Sequence, residues 1–406
     1  MIPSSCRTAG ALVLAVLMLT GCGSELRSVR ISPTDLWSVR MTESFLQRQP
    51  EAISYPTDRE ERWTYEQGVM LEALRQEWSV THDERYAASI RRNIDRFVGP
   101  DGRIRTYQFA SFNLDNIPTG RALLFLAEQT GERRYQMAAD TLRKQLAEQP
   151  RTAEGGFWHK KVYPYQMWLD GLYMAEPFYL RYALRSGDTA ALSDIINQFV
   201  RIERHTRDDR TGLLYHAWDE RHQQRWADSL TGRSPHFWGR AIGWYAMALV
   251  DVIELFPAND PRRAELTAIL RRLMPAALAV RDPNRLVWYQ IMDQRDRNGN
   301  YPEASASCMF VYALAKGARL GLLDPSLMNE ARASFDGILR QFVTIGTDGS
   351  VNLHDVCQGA GLGGDPYRDG SYEYYISEPR RTNDFKGVGP FIMAAIELER
   401  AEGTWR

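Results

Sequence analysis

The chain has 406 residues, a hydrophobic share of 44% and a formal net charge of -1, enough for two ordinary domains or one large core. Near-neutrality excludes a general electrostatic attraction to nucleic acid or to an anionic membrane surface. The 11 Trp and 19 Tyr suit core packing and also the stacking of sugars.

At the N-terminus, Arg7 precedes the apolar run 9–19, which is too short for an ordinary transmembrane helix but fits a signal h-region. The run ends in Leu19-Thr20-Gly21-Cys22, which resembles the lipobox of bacterial lipoproteins, where the cysteine is acylated and becomes the mature N-terminus. Residues 1–21 therefore read as a lipoprotein signal peptide, Cys22 as the lipidation site and 22–406 as a single domain. Gly23-Ser24 places no aspartate after the cysteine. The expectation is an exported monomer held at the outer membrane by its lipid anchor alone, on the periplasmic or the surface side. Of the remaining cysteines, Cys308 and Cys357 make no disulfide framework, and no CxxC or His/Cys cluster suggests a metal.

Apolar periodicity predicts helices over 34–47, 64–80, 84–97, 117–129, 133–149, 171–185, 189–206, 239–256, 262–280, 304–320, 325–342 and 387–402. They pair, an apolar member such as GWYAMALVDVIEL with a charged one such as RRAELTAILRRLM, through turns at 81–83, 130–132, 187–188, 258–260 and 323–324. The fold class is all-α, and six such hairpins close naturally into a double-layered (α/α)6 barrel, with an open helical array as the alternative. Inner helices would then run parallel, with their N-termini ringing one mouth. The long aromatic- and Gly-rich loops 101–116, 153–170, 208–238, 282–303 and 346–386 lead into that mouth, and loops of such length are usually functional. Converging helix N-termini also favour an anion there.

Asp170 is the most informative residue. In YPYQMWLDGLYMAEPF it stands where a helix begins, among Tyr165, Met167, Trp168, Leu169, Leu172, Tyr173 and Met174. Desolvation favours the protonated form of such an acid, which can then deliver a proton. The plainer alternative is a helix cap, with Gly171 as first helical residue. Asp115 occupies the equivalent place before the preceding inner helix, and two facing carboxylates would raise one pKa further. Candidate substrate contacts around the mouth are Tyr65, His159, Trp168, His216, Trp238, Arg240 and Trp244, with core packing as the alternative for each Trp and a structural role for each His. Arg240, framed by indoles in FWGRAIGW, suits a carboxylate or a sugar. The run QGAGLGGDPY is not a phosphate loop, because no strand precedes it and no Lys-Ser/Thr follows.

Taken in order along the chain, MWLDGLYMAEPF, FWGRAIGW, EASASCMFVYALAKG and NDFKGVGPFIMA resemble glycoside hydrolase family 105, the unsaturated glucuronyl and rhamnogalacturonyl hydrolases. The resemblance implies an (α/α)6 barrel that removes a 4,5-unsaturated uronic acid from the nonreducing end of lyase-generated oligosaccharides, with no metal or organic cofactor. It implies Asp170 as general acid/base and Asp115 as the second acid, with His159, His216, Trp238, Arg240 and Trp244 matching substrate contacts and Tyr65 matching less closely. Cys308 and Cys357 depart from the familiar blocks. Rival readings are an ordinary inverting glycosidase or epimerase on the same fold, and a non-catalytic glycan-binding lipoprotein. The aglycone is expected to be rhamnose, with ulvan, arabinogalactan or glycosaminoglycan fragments as alternatives.

Overall fold

The structure, a computed structural model, describes residues 31–32 and 34–405. The signal-like segment and Cys22 lie outside the described residues. Thirteen α-helices are present among those described: α1 (Trp37–Arg48), α2 (Tyr65–Thr81), α3 (Glu84–Asp95), α4 (Gly120–Thr130), α5 (Arg133–Glu148), α6 (Asp170–Ser186), α7 (Thr189–Thr206), α8 (Gly239–Leu255), α9 (Arg263–Ala279), α10 (Ala304–Arg319), α11 (Leu327–Phe342), α12 (Tyr372–Ser377) and α13 (Phe385–Ala401). Twelve answer to the predicted helices. The thirteenth, α12, lies inside what the sequence reads as loop, because six residues are too few to show a period.

The two classes of helix separate by burial. In α8 every residue from Gly239 to Ile253 is buried, as befits a helix packed on all sides. In α9 only Leu266, Ile269, Leu270, Leu273, Met274 and Ala277 are, the single stripe of an amphipathic helix with one face in water. Neighbours in space follow α2–α4–α6–α8–α10–α13 and back to α2, which closes the inner ring. The even-spaced partners α3, α5, α7, α9 and α11 form the outer layer, and α1 packs on α13. The sixth hairpin is thus assembled from the two ends of the described chain, so the array closes into an (α/α)6 barrel.

Local chemistry sets the turns within each hairpin. Gly131 and Gly187 take φ of 70° and 71° at the ends of α4 and α6, the left-handed position that glycine adopts without strain. An acid then starts the next helix: Asp188 accepts from Ala191 N at 3.2 Å, and Asp83 from Arg85 N at 2.9 Å. Inner helices also need small residues where they touch. A Cβ on Gly68 of α2 would lie 2.6 Å from Thr119 N, and one on Gly120 of α4 would lie 2.6 Å from the Phe178 ring of α6.

Short antiparallel strand pairs tie the long loops together at the mouth. β1 (Gln166–Trp168) pairs with β2 (Ala217–Asp219), β3 (Val343–Ile345) with β4 (Val351–Leu353), and β5 (Val356–Cys357) with β6 (Arg380–Arg381). Glu303 caps α10 and also holds β5: its carboxylate accepts from Ala306 N at 2.7 Å, from Ser305 Oγ at 2.8 Å and from Cys357 N at 2.9 Å. Cys308 and Cys357 are separate buried thiols.

Candidate active site

A chain of backbone hydrogen bonds builds the site. Leu114 N donates to His159 O at 3.1 Å, His159 N to Gln166 O at 2.9 Å, and the β1–β2 ladder continues with Leu169 N donating to His216 O at 3.0 Å. Three loops far apart in sequence are laid edge to edge, and Asp115, His159, Asp170 and His216 are brought to one place. His216 lies behind Asp115, His159 and Asp170, which line a cavity of about 560 Å³, large enough for a disaccharide-sized ligand. Tyr65, Asp115, His159, Trp168 and Asp170 line it, as the sequence places them.

Asp170 is the first residue of α6, with Leu169 as the preceding residue and no side-chain cap. The capping alternative is therefore replaced by a carboxylate turned to the cavity. Its Oδ2 lies 3.1 Å from His216 Nε2, and both atoms are buried. Burial is the largest influence on the Asp170 pKa and raises it; His216 and then His159 outweigh burial, and the carboxyl is held below its ordinary value. The expectation of an acid protonated at rest is corrected here. The local sequence shows only apolar neighbours, while the decisive imidazole arrives from 46 residues away. His216 is fully buried, with Nδ1 2.7 Å from the Tyr375 hydroxyl.

Asp115 sits in a single helical turn before α4, where Asn113 accepts a hydrogen bond from Asp115 N at 3.0 Å. Asn113, and not Asp115, supplies the cap. The Asp115 carboxylate instead meets Lys160 Nζ at 2.5 Å and His159 Nε2 at 3.5 Å. Burial lowers the His159 pKa to about 4 against the pull of Asp115, and the ring is neutral. Trp168 is stacked between the His159 ring, 4.7 Å between centroids, and the Tyr163 ring at 5.0 Å.

Trp238, Arg240, Trp244 and His216 do not line the cavity. They lie behind its wall, each 2% exposed or less. Trp244 stacks on Tyr173 at 4.6 Å. Arg240 lies 4.7 Å from the Trp238 ring centroid and donates to Cys357 O and to Ser305 Oγ. Its guanidinium is engaged with the protein, which leaves it away from the ligand space.

Sequence reasoning missed Lys160 and Arg368 on the cavity wall. Lys160 follows His159 directly, and a lysine next to a candidate histidine was the available signal. Arg368 lies in the Gly-rich stretch and carried no local signal. It donates to Tyr163 Oη at 2.7 Å, to Gly363 O at 2.9 Å and to Leu362 O at 3.2 Å, all neutral acceptors. Lys160 is neutralised by Asp115, so among the described residues Arg368 is the cavity's cation without a carboxylate partner.

The sequence model of Glycosyl Hydrolase Family 88 matches residues 37–402. A solved glycoside hydrolase from family 105 of C. acetobutylicum ATCC 824 is 43% identical, covers 90% of this chain and 100% of its own, and superposes with a TM-score of 0.86. Protein Atu3128 of Agrobacterium fabrum is 39% identical over 230 residues, 55% of this chain and 97% of that protein. The unsaturated rhamnogalacturonyl hydrolase YesR of Bacillus subtilis (strain 168) is 29% identical over 264 residues, 64% of this chain and 72% of that protein.

Proposed function

The chain belongs to Glycosyl Hydrolase Family 88 and is a glycoside hydrolase; on that premise we propose that it removes a 4,5-unsaturated uronic acid from the nonreducing end of lyase-generated oligosaccharides by hydrating the C4=C5 bond. The observation that carries the reading is the buried Asp170 carboxylate, with His216 Nε2 3.1 Å from its Oδ2, on the wall of a cavity that also holds an unneutralised guanidinium. Such an arrangement suits an acidic sugar bearing a site for protonation.

Binding of the uronate would bring a second negative charge and exclude water, and both effects favour the protonated form of Asp170. The proton is drawn from solvent as the substrate enters, and His216 Nε2 lies 3.1 Å from Asp170 Oδ2. With the Tyr375 hydroxyl donating to Nδ1, the ring hydrogen resides on Nε2 and faces Asp170. Asp170 then protonates C4, the alkene electrons form the C4–H bond, and an oxocarbenium ion develops between C5 and the ring oxygen. Asp170, again a carboxylate, takes a proton from water as its oxygen bonds to C5. The resulting hemiketal opens to a ketone at C5, and the hemiacetal left at C1 expels the aglycone as an alcohol. The anomeric carbon is never attacked, so the spacing rule for two carboxylates in ordinary glycosidases does not govern this site. Asp115, held by Lys160 and His159, is placed to hold sugar hydroxyls, and Arg368 to receive the uronate carboxylate.

The rhamnogalacturonan-derived disaccharide is the preferred substrate in this reading, supported by the relationship to YesR. Incubation with unsaturated galacturonyl-rhamnose and with its saturated counterpart tests it. Hydration destroys the conjugation between C4=C5 and the carboxylate, so ultraviolet absorption should fall as rhamnose appears, with no release from the saturated sugar. Cleavage of the saturated disaccharide would instead favour an ordinary glycosidase.

A further inference from the structure

Behind the catalytic wall lies a second and much smaller space of about 10 Å³, about what the centre of one water molecule needs. It is bounded by apolar side chains such as Leu114, Phe157 and Leu172, and by three polar ones, His159, Glu176 and Gln198. His159 lines both this space and the main cavity. Two polar atoms on its boundary residues, His159 Nδ1 and Glu176 Oε2, are buried without a hydrogen-bond partner. Leaving either group unsatisfied is costly, and two such groups around a one-water space are the usual setting of an ordered internal water.

We propose that this space holds one water that bridges the Glu176 carboxyl to His159 Nδ1, and that Glu176 is the positioning residue that fixes which tautomer of His159 faces Asp115. Burial, reinforced by Asp194 of α7, keeps the Glu176 carboxyl protonated against the opposing charge of Arg151. The acid donates its proton to the water oxygen, and the water donates one hydrogen to His159 Nδ1. The second water hydrogen goes to Gln198 Oε1, which accepts from Phe157 N at 2.8 Å and keeps a free lone pair. Gln198 is held in that orientation because its Nε2 donates to Gly155 O at 3.0 Å and to Asp194 Oδ1 at 3.1 Å.

With Nδ1 an acceptor, the neutral ring carries its hydrogen on Nε2, 3.5 Å from Asp115 Oδ1. The groups facing His159 are Asp115, Lys160, Asp170 and His216, and with burial they leave the ring neutral down to about pH 4. Asp115 therefore meets a hydrogen-bond donor, whereas the other tautomer would turn a lone pair toward it and repel the carboxylate. The effect on turnover rests on the reaction proposed above; the water and the tautomer do not.

A crystal structure of the full chain at a resolution that shows ordered waters, together with nitrogen NMR of histidine-labelled protein, tests the proposal. The expected result is a water within hydrogen-bond distance of His159 Nδ1 and Glu176 Oε2, and the Nε2–H tautomer at His159. A wild-type Nδ1–H tautomer, or a site with no water density, overturns it. Glu176→Gln supplies a neutral donor in place of the acid and should retain the Nε2–H tautomer. Glu176→Leu should lose it, with kcat about tenfold below that of Glu176→Gln and KM little changed. Equal kcat and tautomer in the two variants would also overturn the proposal, and if Glu176→Leu does not fold, the wild-type measurements decide alone. Inactivity of the wild type on every unsaturated disaccharide would refute the reaction and leave the tautomer result standing.

Discussion

Lowering the pH should weaken the fold through His159 in a way that can be isolated. Its pKa is about 4 in the fold against 6.5 for a free histidine, a difference worth about 3 kcal/mol when fully expressed. As pH falls through 6.5 the unfolded chain takes up a proton on this ring, whereas the folded chain does so only near 4, so stability is lost between those values. Between pH 7 and pH 5 the loss from this one group is about 2 kcal/mol. Other groups titrate over the same interval, and a cycle removes them: urea unfolding of the wild type and of His159→Gln at both pH values. The wild type should lose about 2 kcal/mol more than the variant on acidification. Equal losses, or a larger loss in the variant, would mean that the ring is not a buried neutral base, and the tautomer argument would fall with it.

Asp170→Asn should fold normally and lose about 10²–10⁴ in kcat, because an amide cannot deliver the proton; turnover near that of the wild type excludes Asp170 as the acid. Arg368→Met should raise KM for an unsaturated uronate about 10–100-fold while sparing a methyl-ester analogue. Arg240→Met should act on thermal stability instead, since its guanidinium serves Cys357 O; an Arg240 effect confined to KM would reassign the carboxylate seat. Glu77, raised to about 8 by burial beside Glu399, stabilises the fold below the unfolded carboxylate range, and that contribution is lost as pH rises toward 8. Glu77→Gln should therefore gain stability over the wild type progressively from pH 5 to 8, and a constant offset across that range would contradict it. At the N-terminus, Cys22→Ser should abolish fatty-acid labelling in cells, and equal labelling of variant and wild type would end the lipoprotein proposal.

What the sequence determined is local. The helices repeat apolar residues within a turn, and their boundaries are written in side chains one to four positions away: Asp83 and Asp188 as caps, Gly131 and Gly187 as stops. Asp115 and Asp170 could be picked out because each precedes or opens an apolar helix in a long loop. Relations between loops were left to the tertiary structure. That α1 packs on α13, that His216 stands 3.1 Å from Asp170 and that Arg368 lines the same cavity as Asp170 all depend on contacts across tens or hundreds of residues. The Asp170 pKa shows the difference most sharply. Its neighbours in the chain are apolar and would raise it, while its neighbours in space include two imidazoles that lower it. Arg240 shows the reverse, an arginine whose local frame suits a ligand but whose partner Cys357 O, 117 residues on, occupies it. Electrostatics depends on distance through space, and only the closed barrel sets those distances.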